Sequence, residues 1–163
     1  MAIDLTQFNK QAKHKRAESQ QFFERLKKQK PNDLDEKTHQ LHDNVFKKID
    51  CLSCANCCKT TGPLFTQRDI KVISKHLKLS EHQFIQKYLR IDEDNDYVLQ
   101  QLPCVFLGAD NYCGIYDYRP QACREFPHTN QRKIHTILKE TLNNTEVCPA
   151  VFEIVERLKK IYP

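Results

Sequence analysis

The chain has 163 residues, 39% of them hydrophobic and only 3 of them glycine, which suits one domain with a modest core and excludes a disordered tail or a fibrous repeat. So few glycines also exclude a P-loop or a dinucleotide-binding loop, and no stretch approaches the ~18 to 20 apolar residues of a membrane span. The formal charge is +5, but eight thiolates on two dications would bring it to about +1, so bulk charge gives no reason to expect nucleic acid.

Residues 5–30 are expected to form a helix. Leu5, Phe8, Ala12, Phe22 and Leu26 recur at helical spacing, with lysines on the other faces. Its middle, Gln11 to Gln20, is so polar that part of it is expected to project into solvent. Met1 to Lys30 is lysine-rich without an apolar secretory core, so a reducing cytoplasm is the expected compartment. Pro31 ends the helix, and Asp33 with Glu36 opens a second as a capping box. Leu34, Leu41, Val45 and Ile49 make its apolar stripe. These first 50 residues read as a helical N-terminal arm or accessory helices, ahead of a cysteine-cluster domain spanning 51–163. Their amphipathic face could dock a protein partner or fold back on its own domain.

Four cysteines then fall within eight residues: Cys51, Cys54, Cys57 and Cys58. Gly62-Pro63 marks a turn. Thr66 with Asp69, and Ser80 with Gln83, cap two further helices carrying Ile70, Ile73 and Leu77, then Phe84 and Tyr88. The acidic run Asp92 to Asp96 is a loop. Tyr97 to Cys113 reads as a small β-hairpin around Gly108-Ala-Asp-Asn111. Pro120 starts a short helix that Pro127 stops, residues 128–145 carry no clear period, and Pro149 opens a last helix with Ile154, Val155, Leu158 and Ile161 inward. The expected fold is therefore mainly α with a small β-hairpin, a compact cysteine-cluster metal-binding domain.

Four thiols within the eight residues Cys51–Cys58 are too crowded for packing alone, while Cys104, beside Val105 and Phe106, has a buried apolar role as its alternative. Adjacent Cys57 and Cys58 cannot bridge each other without severe strain, and the reducing compartment disfavours disulfides. Thiolate is a soft ligand for zinc or for the iron of an iron–sulfur cluster. Cys51, Cys54 and Cys57 repeat the Cys-x-x-Cys spacing, which suits three corners of a cubane or three positions around zinc. Cys148 before Pro149, at a helix N-terminus, is a candidate fourth ligand. Cys58, Cys104, Cys113 and Cys123 then remain for a second site. Other partitions stay open, including one shared polynuclear site.

Arg119 and Arg124 flank Cys123 and are candidates to offset thiolate charge. Tyr116 and Tyr118 read as packing residues, Phe126 as a cover over the site, and His128 as an alternative ligand. No Ser/His/Asp order and no metalloprotease helix is visible, so enzyme and scaffold are both open.

Together these residues resemble the YkgJ-like CxxCxxCC family of zinc- or iron-chelating domains. The likeness runs from Cys51–Cys58 through Leu64 to Ile70 and Leu79 to Leu89. It is most specific at Cys113-Gly-Ile-Tyr116-Asp-Tyr-Arg119-Pro120-Gln-Ala-Cys123-Arg124-Glu-Phe126-Pro127, and it takes in Cys148. The resemblance implies that all eight cysteines are ligands and that zinc or an iron–sulfur cluster is the cofactor. It leaves the reaction unassigned. One relative with this cysteine pattern is the flagellin lysine methylase, a longer protein, and no S-adenosylmethionine pocket signature is found here. That relative supplies the alternative expectation, an iron–sulfur-dependent redox or protein-modifying enzyme.

Overall fold

The computed structural model describes residues 3–163. Its elements divide into two compact units, one formed by the chain up to Cys54 together with Pro127–Pro163, the other by Ala55–Phe126. No helix among the described residues is long and apolar enough to cross a membrane.

The first unit is helical. Helix α1 (Leu5–Gln29) starts at Asp4, whose Oδ1 accepts the N–H groups of Thr6 and Gln7 at 3.0 Å. It ends at Lys30, in the left-handed region at φ 47° ahead of Pro31. Its stripe of Phe8, Ala12, Ser19, Phe22, Phe23 and Leu26 is buried, and the helix packs on α8 (Leu138–Asn144) and α9 (Pro149–Ile161). The polar middle, expected to project into solvent, instead docks. Arg16 donates to Leu142 O at 3.0 Å and to Asn143 Oδ1 at 2.9 Å, and pairs with Glu146 at 3.1 Å. Lys15 reaches Glu156 at 3.3 Å, and Lys159 reaches Glu18 at 2.9 Å. Long cationic side chains bordering a narrow apolar stripe lay their stems along it and place their charges on the neighbouring helix.

Helix α2 (Leu34–Phe46) packs on α9 and on a 3-10 turn at Ile134–Thr136. The expected Asp33–Glu36 capping box does not form: Asp33 Oδ1 accepts the Tyr162 hydroxyl at 2.7 Å. Asp35 instead serves tertiary structure, accepting the Lys133 and Ile134 N–H groups at 2.7 and 2.9 Å. Leu34 and Val45 are buried, while Leu41 and Ile49 are half-buried. Residues 128–145, without period in the sequence, hold the 3-10 turn and α8. In α9, Ile154, Val155 and Leu158 are buried, but Ile161 is 40% exposed at the last turn.

In the second unit both expected capping boxes form. Thr66 opens α5 (Gln67–His76) and Ser80 opens α6 (Glu81–Tyr88), each exchanging bonds with its partner three residues on. The two helices form a hairpin over a core of Phe65, Ile70, Ile73, Phe84, Leu89, Leu99 and Ile115. Beside them lies an antiparallel sheet, order β1-β3-β2, from β1 (Leu64–Phe65), β2 (Leu89–Ile91) and β3 (Tyr97–Leu99). Leu64 pairs with Val98, and Arg90 pairs with Val98 from the other side.

The fold is mainly α with one small hairpin, as expected, but the hairpin lies earlier in the chain. It joins β2 to β3 across the acidic Asp92–Asp96 turn, where Asp92 Oδ1 accepts two backbone N–H groups at 2.9 Å. After Leu99 the chain leaves the sheet. Pro103 has no N–H to extend a ladder, and the Gly108–Asn111 turn supports a single bridge, Leu107 to Cys113.

Candidate metal centre

All eight cysteines carry free thiols. Five belong to the second unit: Cys57, Cys58, Cys104, Cys113 and Cys123. Cys57 and Cys58 lie on α4 (Asn56–Thr60), which follows Ala55 in the left-handed region at φ 50°. The two thiols share a hydrogen bond. The Cys58 carbonyl accepts the Cys104 N–H at 2.8 Å, which fastens α4 to the chain ahead of the Gly108 turn. Across that turn the Gly114 N–H donates to Phe106 O at 2.8 Å.

The backbone also serves the sulfurs directly. The Phe106 and Leu107 N–H groups point to the Cys104 thiol, and the Ile115 N–H points to Cys113. Such amide-to-sulfur bonds favour the thiolate and orient it, a property of structural zinc and iron–sulfur sites.

Cys123 sits on α7 (Gln121–Glu125), whose place is set by a buried carboxylate. Asp69 Oδ2 accepts the Thr66 N–H and hydroxyl at 2.9 and 2.8 Å, while its Oδ1 accepts the Gln121 N–H at 3.1 Å. One side chain therefore completes the cap of α5 and holds the first amide of α7. The sequence marks Asp69 as a capping partner, and its second bond exists only in the folded chain.

The thiols of Cys58, Cys104, Cys113 and Cys123 lie within one another's electrostatic reach. Burial, and then the charges of Cys58, Cys104 and Cys113, push Cys123 up to about 12. Burial raises Cys104 and Cys113 as well, with Cys58 adding to it and the amide bonds opposing it. Cys58 is raised most, first by its bond to Cys57 and then by burial. Arg119 pulls Cys113 and Cys123 the other way.

The first unit holds the other three. Cys51 and Cys54 occupy α3 (Cys51–Cys54), a single turn whose Cys54 N–H donates to Asp50 O at 3.1 Å. Cys148 is the N-cap of α9, and the Ala150 and Val151 N–H groups point to its sulfur. Pro149, at the first helical position, has no N–H to lose there. Burial pushes Cys148 up to about 12, and the charges of Cys51 and Cys54 act in the same direction.

Arg119 covers the Tyr116 ring at 4.0 Å and donates to Tyr116 O at 2.7 Å, while Arg124 donates to Arg119 O at 2.9 Å. Tyr118 stacks on His76 at 4.0 Å. Phe126 and His128 are half-buried, His128 with a positive φ of 66°. Among the described residues no three His, Cys, Asp or Glu side chains stand as a formed ion cage.

The chemistry of the donor set is nonetheless selective. The groups coupled within each unit are sulfurs, with backbone amides turned toward them, and carboxylates are not among them. Sulfur donors suit zinc or iron and do not suit calcium or magnesium, which take oxygen. No curated protein and no solved structure gives a significant match to the chain. The family model described as "CxxCxxCC: Putative zinc- or iron-chelating domain" matches residues 50–149, more than half of the chain and the stretch containing all eight cysteines, so the chain belongs to the CxxCxxCC family.

Proposed function

We propose that this is a metal-binding protein in which all eight cysteines are ligands, and that Cys58, Cys104, Cys113 and Cys123 make up one four-thiolate centre within the second unit. The observation that supports this reading is that those four thiols, from α4, the loop after β3 and α7, lie within one another's electrostatic reach in one unit, with amides turned toward two of them. Cys51, Cys54 and Cys148 provide a separate set of thiolates in the first unit. Cys57, bonded to Cys58, is the eighth thiol.

Zinc would supply a closed, redox-silent tetrahedral anchor, and an iron–sulfur cluster would supply an electron relay. The chain's own contribution is the same for either. It turns amides toward sulfur, buries Cys148, and holds α7 through Asp69. Eight reduced thiols suit a reducing compartment, which supports a cytoplasmic location. The closed four-thiolate set favours a structural role, with the metal standing in for core that the small second unit lacks.

Purification under anaerobic conditions, with metal analysis and a visible spectrum, tests this. Stoichiometric zinc in colourless protein supports the structural reading, and brown protein absorbing near ~400 nm supports the cluster. Cys113→Ser and Cys148→Ser should each lower the metal content without abolishing it. Oxygen-protected protein that folds normally and contains neither zinc nor iron would overturn the proposal.

A further inference from the structure

We propose that the first unit carries a binding site for an amphiphilic carboxylate, in the groove between the start of α1, the segment just after α2, and α9. None of the eight cysteines lines it, so the proposal stands apart from the metal reading.

The groove has a volume of about 700 Å³, within the ~300–1,000 Å³ typical of small-molecule sites. Every residue lining it belongs to the first unit. Along α9 it takes Pro149, Phe152, Glu153, Glu156, Arg157 and Lys160. Those positions repeat every three or four residues and so form one face of the helix. The face is elongated, roughly 16 Å at 1.5 Å per residue. Along α1 the groove takes Asp4, Gln7, Phe8 and Gln11, at the same repeat.

The apolar wall gathers at the start of α9. Phe152 meets Phe8 edge to face, with ring centroids 5.9 Å apart. Asp33, ahead of α2, bonds Tyr162, past the end of α9, so the two helices run in opposite directions. Ile49, beyond the end of α2, therefore lies toward Pro149. Ile3, Ile49 and Phe152 are half-buried, and this leaves apolar surface for an alkyl chain to cover.

The sign of the head group follows from which charges are already matched. Three carboxylates line the groove, and each is engaged. Asp4 accepts the Thr6 and Gln7 N–H groups at 3.0 Å, Glu153 pairs with Arg157, and Glu156 pairs with Lys15 at 3.3 Å and with Lys159. Lys48 and Lys160 are exposed and make no ion pair among the described residues. The unmatched charge on the groove is therefore positive. Both groups are lysine ammoniums, compact point charges, and the lining arginine is already held by Glu153. No free guanidinium fork remains for bidentate capture of a phosphate, so a singly charged carboxylate is the matching head.

The test titrates decanoate into the full-length protein as purified, by calorimetry and by amide shifts in nitrogen–proton spectra. Decanoate should bind with a Kd of about 1 mM or tighter. The shifts should fall on Ile3, Gln7, Ile49 and Phe152. Decylamine, with the same chain and the opposite charge, should bind at least tenfold more weakly. Lys48→Gln/Lys160→Gln should weaken decanoate about tenfold, the order that two exposed charges supply together. Both positions are exposed, so the double variant should keep the wild-type melting point. If it does not fold, the decanoate–decylamine comparison on the wild-type protein decides the sign by itself. No saturation by ~10 mM decanoate, equal binding of decylamine, wild-type affinity in a folded double variant, or shifts confined to the second unit would each overturn the proposal. Metal content should be the same with and without decanoate, so a metal-free preparation refutes the metal reading and leaves this one standing.

Discussion

Replacing Asp69 by alanine removes three hydrogen bonds with one side chain. Two come from Thr66, at 2.9 and 2.8 Å, and the third from the Gln121 N–H at 3.1 Å. Asp69 is only 5% exposed, so water does not replace these bonds without local opening. A bond to a charged acceptor contributes about 1.5–3 kcal/mol, and a buried donor left unpaired costs about 1–3 kcal/mol. The cap that Thr66 Oγ1 gives to the residue-69 N–H survives, because its donor is backbone. Taking the low end for each lost bond gives a destabilisation of about 3–5 kcal/mol. That is a large share of the ~5–15 kcal/mol that holds a typical domain. Asp69→Asn keeps one acceptor oxygen and should cost about half as much. Urea unfolding measures the total, and amide exchange at Gln121 reports the contact that positions α7. If Cys123 is a ligand as proposed, the metal content of Asp69→Ala should fall as well, since Cys123 rides on that helix. A loss under ~1 kcal/mol with unchanged Gln121 exchange would refute the view that this carboxylate couples α5 to α7.

Further outcomes follow from the same structure. Phe84 is fully buried and touches the rings of Phe65, Tyr88 and Phe106, so Phe84→Ala should cost about 3–5 kcal/mol in urea unfolding. The metal-free protein should lose stability as pH rises from ~9 toward 12. Cys123 and Cys148 are both raised to about 12 in the folded state, so their contribution is complete below the ordinary thiol value and is lost above it. Metal retention should run the opposite way and weaken as pH falls, because protons compete for the thiolates; zinc release against pH checks the sign. In the first unit, burial lowers His42, whose Nδ1 meets Thr129 Oγ1 at 2.7 Å. For Asp35, burial pushes upward, but the Lys133 and Ile134 amides prevail and leave it below the usual carboxylate range. Both contributions are present at neutral pH. His42's is lost as pH falls below ~6.5 and Asp35's as it falls below ~4. Amide protection at residues 129–134, taken relative to the intrinsic exchange rate at each pH, should therefore fall on acidification ahead of global unfolding. Chelator treatment should lower the melting point of the second unit, and an unchanged melting curve would contradict a folding role for the metal.

Much of the local structure was legible from short-range chemistry. The Thr66/Asp69 and Ser80/Gln83 boxes, Pro149 at a helix start and the stops at Pro31 and Pro127 are governed by backbone groups within four residues, so composition and spacing suffice. The cysteine spacing pointed to soft-metal chemistry for the same reason, because ligand type is a property of the side chain.

The chain alone determined that these residues form short capped helices rich in thiols. It did not determine what depends on partners far along the chain. Asp33 abandoned its capping box because Tyr162 offers a hydroxyl. Arg16 docks because α8 presents the Leu142 carbonyl and Glu146 follows just beyond that helix. The hairpin moved to Asp92–Asp96 because β1, more than twenty residues earlier, pairs with β3. Which cysteines share a unit was likewise decided by tertiary structure: Cys57, Cys58, Cys104, Cys113 and Cys123 fall in one compact unit and Cys51, Cys54 and Cys148 in the other, a division no local spacing encodes.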